Sequence, residues 1–271
     1  MNQKVFDQLA EGWDAAAEEY ANVFSPFTSL FADDVLRVCP PQPTAKVLEI
    51  AAGNGALSLG LAARAKSVLA TDLSPHMVSK LNQRVSGEHL KNIQTMTADA
   101  QALSIGEEPF DAVYCLFGIM FFPNIDLALS EMARVLKPGG QCVIVTWNEK
   151  TKLLQPVSDA MQKLMPNSPA AQGLARPMAL GEPASLQQTL ERVAFRDVIV
   201  HEVHHTLIAS KQVYLDRFPL TNPSGIQMFS MLPPKVGNAL RTQIAAELDS
   251  QFSGAQVALE GVANIAVAIK R

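Results

Sequence analysis

The sequence predicts a doubly wound α/β fold: seven strands in a mostly parallel sheet, the last strand antiparallel, with helical cap insertions. Two observations carry this. Short β-rich runs alternate with helical patterns from Thr44 to about Asn148, and alternation of that density means parallel strands joined by right-handed crossovers. The flanks add a sixth apolar run at 198–208 and a long apolar run at 255–270.

The elements follow in order. Residues 46–50 (KVLEI) lie between Pro43 and Gly53 and read as a buried strand. A helix with apolar residues nearly all round is expected over 56–65. Residues 67–71 (SVLAT) form the second strand, and Ser74-Pro75 then opens a helix with an N-cap hydroxyl and a proline at its first position. Met77, Val78, Leu81 and Val85 give that helix one apolar face. Residues 93–96 and 111–116 (DAVYCL) are the third and fourth strands. A helix carrying Leu129, Met132 and Leu136 is stopped by Pro138-Gly139-Gly140, and 141–147 (QCVIVTW) is the fifth strand. In the flanks, Phe6, Leu9, Trp13, Ala16 and Tyr20 fall on one helical stripe, and Ser25-Pro26 starts a second helix. Val236, Leu240, Ile244, Leu248 and Phe252 recur every four residues on another.

Composition bounds what the fold can do. The chain has 271 residues, 48% hydrophobic and 18% charged, which is enough for a core and unlike a disordered or fibrous chain. No apolar run approaches the ~20 residues of a membrane span. The first residues lack an apolar signal core, so export is not expected. A formal charge of −4 gives no footprint for nucleic acid. Cys39, Cys115 and Cys142 are too few and scattered for a disulfide framework or a metal site. A reduced, cytoplasmic protein is expected, of open oligomeric state.

The strongest chemical feature is residues 47–55 (VLEIAAGNG), a strand leading through a glycine turn into a helix. Gly53 and Gly55 let the backbone turn sharply and let a ligand lie against it. The helix start beyond them offers unpaired N–H groups, although any strand-to-helix turn can use two glycines. Asp72, at the end of the second strand, is placed to accept both hydroxyls of a ribose, or merely to support the Ser74 helix start. Asp99 follows the third strand, where a carboxylate can accept from an adenine amine. Three such positions at successive strand ends lie where open α/β sheets bind ligands.

These residues resemble the class I S-adenosylmethionine-dependent methyltransferases, of the small-molecule, UbiE-like type. Glu49-x-Ala51-x-Gly53-x-Gly55 matches the family's first motif, with Ala51 where the family usually has glycine. Asp72-Leu73-Ser74-Pro75-His76-Met77 and Thr97-Ala98-Asp99-Ala100 match the next two, and residues 134–140 (RVLKPGG) match the segment before the fifth strand. The resemblance implies a Rossmann-like methyltransferase domain with S-adenosyl-L-methionine as cofactor. It further implies that Glu49, Ala51, Gly53 and Gly55 hold the methionine moiety. Asp72 would take the ribose hydroxyls, Leu73 and Met77 would pack on adenine, Asp99 and Ala100 would bond it, and Cys115 would line the site. Tyr20, on the first helix, would close over the cofactor.

Methyl transfer is an in-line displacement governed by alignment, so no fixed catalytic set is expected. His204 and His205, near the carboxyl end of the sixth strand, are the candidate bases, though strand histidines usually face solvent. Trp13, Phe117, Met120 and Trp147 are expected to line an apolar acceptor site, or to be plain core. Residues 1–43, 150–195 and 209–254 are expected to gather as cap elements of a single domain over the carboxyl edge of the sheet. The expected activity is methylation of a small apolar or aromatic metabolite, first on oxygen. N- or C-methylation, or a non-methylating cyclase or isomerase on the same fold, are the alternatives.

Overall fold

A computed structural model describes residues 5–106, 109–166 and 178–271. Residues 1–4 and 167–177 of the expected cap elements therefore lie outside the described residues. Seven strands form one sheet in the order β3-β2-β1-β4-β5-β7-β6. They are β1 Lys46–Ile50, β2 Ser67–Asp72, β3 Ile93–Thr97, β4 Phe110–Leu116, β5 Leu136–Trp147, β6 Phe195–Ser210 and β7 Gln256–Lys270. β1 to β5 pair in parallel, and β7 runs antiparallel to both its neighbours.

The helices are α1 Ala10–Glu19, α2 Ser25–Val38, α3 Ser58–Ala62, α4 Pro75–Gly87, α5 Ile125–Val135, α6 Gln155–Leu164, α7 Pro183–Val193, α8 Lys211–Asp216, α9 Pro223–Met231 and α10 Pro234–Gln251. The hydroxyl of Ser74 accepts from Met77 N–H and caps α4, as its sequence predicts. α3 is shorter than expected because the glycine turn runs on to Leu57. β5 starts earlier than expected, because Leu136 already pairs with Phe110 of β4, and residues 137–140 form an irregularity before pairing resumes at Gln141.

Side chains of the central strands alternate between two cores. Val47, Ala112, Tyr114, Val143 and Val145 face one, and Leu48, Ile50, Val113, Cys142 and Ile144 face the other. Strands buried on both faces read as continuous apolar runs, which is why they were legible. α2 packs Phe27, Phe31 and Val35 into the first core, where Tyr114 Oη also donates to Cys39 O at 2.9 Å. α7 packs Leu186 and Leu190 into the second, beside α5. Two helices expected as cap therefore cover sheet faces instead, because each presents one apolar face and the sheet has two to bury. Among the described residues no helix is long and apolar enough to cross a membrane.

Candidate active site

The carboxyl ends of β1, β2 and β3 lie level, with Ile50 opposite Thr71 and Thr71 opposite Met96. Two chain segments leave these ends under constraint. Ala51, after β1, and Phe117, after β4, both sit at φ 55°, a conformation that side chains other than glycine rarely adopt. Such strain concentrates at functional sites. Ala51 is accommodated by Gly118, where an added Cβ would lie 2.3 Å from that of Ala51. Gly53 has φ 56° and opens toward Tyr20, whose ring carbon would be 4.0 Å from an added Cβ. Gly55 serves packing instead, since its Cβ would meet Leu81 at 2.5 Å.

A pocket opens over these ends. Its wall includes Ala51, Gly53, Asp72, Leu73, Met77 and Asp99. Ala100, Tyr20, Trp13 and Phe117 complete the expected residues that it brings together. Asp72 accepts from Gly53 N–H at 2.8 Å on one oxygen and from Ser74 N–H at 2.9 Å on the other. A carboxylate offers about four lone-pair sites, so it can still accept from a hydroxyl. Burial pushes its carboxyl up to about 6, against the pull of the Ser74, Gly53 and Leu73 N–H groups. Asp99 is held by Gln101 N–H at 2.9 Å.

Three residues expected in the cofactor site stand behind this wall. Glu49 is buried and accepts from the Ser58 hydroxyl, and burial pushes its carboxyl up to about 8. Gly55 backs α4. Cys115 is buried on the second core face, its thiol pushed up to about 12 by burial. The strand period separates it from its neighbour Leu116, which faces the first core and lines the pocket. Met120 is buried in the core beside Phe117 rather than on either wall.

A second pocket adjoins the first and shares Trp13, Tyr20, Phe117 and Phe121 with it. Its own wall is aromatic and aliphatic, with Phe24, Trp147, Phe218, Met228 and Phe229. Phe117 and Trp147 stack there with centroids 4.0 Å apart. The roof is the N-terminal segment. Residues Tyr20–Phe24 form a π-helical turn between α1 and α2, a wider turn typical of functional sites. Asp14 Oδ1 accepts from Ser74 Oγ at 2.5 Å and from His76 N–H at 3.1 Å, which fixes α1 over the start of α4. Glu19 pairs with Arg217 at 2.8 Å on the other side. The expected single stripe from Phe6 to Tyr20 is broken at Leu9, whose backbone is extended. That break turns Asp7 and Gln8 into the first pocket. Periodicity alone does not mark them, since one stripe of apolar residues runs across the break. Gly12 permits it, because a Cβ there would lie 2.1 Å from Phe6 O.

The candidate bases are not in either pocket. His204 is exposed between Glu260 at 2.9 Å and Glu202 at 3.0 Å, and these carboxylates push its pKa up. His205 bonds Asp34 at 2.6 Å and stands edge-on to Phe31. The pairing of β6 with β7 sets both outcomes, placing His204 opposite Val262 and His205 opposite Gly261.

An open parallel sheet with an acid at the end of β2, a glycine turn after β1 and a pocket across their carboxyl ends is an arrangement in which α/β folds bind nucleosides. Known proteins narrow the class. Residues 47–140 match the family described as "Methyltransferase domain". An uncharacterised protein of Mycobacterium tuberculosis is 36% identical over 105 residues, 39% of this chain and 38% of that protein. The ubiquinone/menaquinone biosynthesis C-methyltransferase UbiE of Zymomonas mobilis is 33% identical over 112 residues, 41% of this chain and 46% of that enzyme. These matches span less than half of the relatives' own lengths. Among solved structures, the YcgJ protein of Bacillus subtilis shares the fold with a TM-score of 0.58 at 16% identity, over 89% of this chain and 97% of that one. Over residues 47–140 the chain is thus similar to methyltransferase domains, and over most of its length it shares their fold.

Proposed function

We propose that the chain transfers a methyl group from S-adenosylmethionine to a small, hydroxylated aromatic acceptor. The observation that carries this is the pair of pockets with one shared wall of Trp13, Tyr20, Phe117 and Phe121. One pocket is edged by carboxylates and glycine, and its donors and acceptors fit a nucleoside with an amino-acid tail. Asp72 would accept the ribose hydroxyls, Asp99 the adenine amine, and the Gly53 face would leave room for the methionine part. The other pocket is aromatic and fits an apolar acceptor.

The cofactor supplies an electrophilic methyl on a sulfonium, which departs as a neutral thioether. The protein's part is alignment and exclusion of water. Trp13 packs edge-on to Phe121 at 5.0 Å, and Phe117 lies on Trp147, so the passage between the pockets is walled by rings. None of the described residues lining the acceptor pocket is ionisable at neutral pH. The acceptor must therefore be a nucleophile that ionises by itself, such as an acidic phenol or enol, which sheds its proton to solvent. Such anions react at oxygen or at ring carbon. Oxygen is the expected acceptor atom, and carbon is the second reading, favoured by the likeness to UbiE.

The test is incubation with S-adenosylmethionine carrying a 13C methyl and a panel of hydroxynaphthalenes. An ether or aryl methyl resonance in the product reports oxygen or carbon. A folded protein that binds neither the cofactor nor S-adenosylhomocysteine would sink the reading.

A further inference from the structure

The acceptor pocket carries few polar side chains, and its hydroxyl protons are already committed. Thr221 donates to Phe218 O at 2.7 Å, Ser224 to Asp7 Oδ2 at 2.6 Å, and Thr151 to Val262 O at 3.3 Å. Asn222 differs. It precedes α9, and its Oδ1 accepts from Gly225 N–H at 2.8 Å as the N-cap. That bond fixes the amide, since only oxygen can accept from an N–H. The Asn222 NH2 has no partner among the described residues, and the residue lines the pocket. The Trp147 indole N–H is likewise uncommitted among them, on the same wall.

We propose that Asn222 determines acceptor specificity, its amide donating a hydrogen bond to a carbonyl-type oxygen on a flat aromatic ring system that also bears the ionisable hydroxyl. This deepens the acceptor reading above and rests on it. The ring system follows from the walls: Phe24, Phe218 and Phe229 flank the space, and Phe117 stacked on Trp147 closes one end. The oxygen follows from the inventory of donors. A ligand with an acceptor opposite Asn222 replaces the water the amide loses on closure, whereas a hydrocarbon of the same shape strands it. The indole N–H of Trp147 offers a second donor to the same pocket.

The experiment needs neither cofactor nor turnover. Both tryptophans of the chain, Trp13 and Trp147, line this pocket, so their fluorescence reads its occupancy. The full chain is titrated with 2-acetylnaphthalene and with 2-ethylnaphthalene, which differ by the carbonyl oxygen. The comparison is then repeated with Asn222→Asp, whose carboxylate still caps Gly225 but cannot donate. Asn222→Ser, which also caps and is too short to reach, is the second variant should the aspartate unfold. The wild type is expected to prefer the ketone by roughly tenfold, the worth of one neutral hydrogen bond in a desolvated site, and the variants to lose that preference. An equal preference in wild type and variants, or none in the wild type, overturns the role of Asn222. Failure of both probes to bind overturns the apolar pocket itself. Absence of methyl transfer in the labelling test, with the ketone preference intact, would count against the transferase reading alone.

Discussion

Ser224 donates a 2.6 Å hydrogen bond to the carboxylate of Asp7, a residue 217 positions earlier in the chain. The contact joins α9, on the aromatic pocket, to the N-terminal segment over the pocket at the strand ends. Trp13 reinforces it, its indole N–H donating to Asp7 O at 2.9 Å. The two roofs are therefore tied together, and the expected consequence is that ordering one of them orders the other.

Ser224→Ala tests that linkage. Losing the hydrogen bond should raise the dissociation rate of S-adenosylhomocysteine by about fivefold, and amides near residues 6–12 should exchange faster. Stopped-flow displacement and hydrogen exchange measure these. An unchanged dissociation rate would mean that the roofs move independently.

Asp72→Ala removes the carboxylate that also bridges Gly53 and Ser74. Binding of S-adenosylhomocysteine should weaken by at least tenfold, about 1.4 kcal/mol, in a variant whose melting curve shows it folded. Calorimetric titration gives the constant. An unaltered affinity would remove Asp72 from the cofactor site.

Ala51 and Gly118 form a coupled pair across the pocket floor. Gly118→Ala should destabilise the chain, since its new Cβ would lie 2.3 Å from Ala51 Cβ and 3.0 Å from Cys115 Sγ. Ala51→Gly removes the methyl and relieves a left-handed conformation worth about 1 kcal/mol. The double variant should therefore be more stable than the sum of the two single changes predicts, by roughly 1 kcal/mol in a denaturant cycle. Additive effects would show that the two positions do not touch.

The buried carboxyls make stability depend on pH. Burial raises Asp72 to about 6 and Glu49 to about 8, above their ordinary values of 3.8 and 4.5. The folded chain thus keeps protons that the unfolded chain has released. Folding takes up protons across that window, so stability falls as pH rises from the ordinary carboxylate range through 6 and then 8. Glu49→Gln removes the upper part. Between neutral pH and a pH of about 9, the melting midpoint should fall for the wild type and stay flatter for the variant. Parallel curves would exclude Glu49 as the titrating group.

The cofactor half of the site was legible because it is local. Gly53, Asp72, Leu73, Met77, Asp99 and Ala100 each lie within a few residues of a strand end, and parallel strands in register bring those ends together. Glu49 and Cys115 belong to the same motifs, yet which face of a strand meets a pocket is decided by the layers packed on it. The acceptor half was legible only in part. Trp13, Phe117 and Trp147 line the aromatic pocket and stand at strand ends or on a helical stripe, whereas nothing periodic marks Asn222 and Ser224. The Asn222-Pro223 pair is a recognisable helix start, and that start was the available signal.

The sequence by itself determined the sheet, the glycine turn and the acid after β2, because apolar period, backbone freedom and strand ends are properties of neighbouring residues. Tertiary structure decided what lies above them. It sent α2 and α7 to the sheet faces, turned His204 and His205 to carboxylates, and folded Asp7 beneath Ser224. Those outcomes depend on which apolar surface each segment finds to bury and which charge it meets there, between residues as far apart as Asp7 and Ser224.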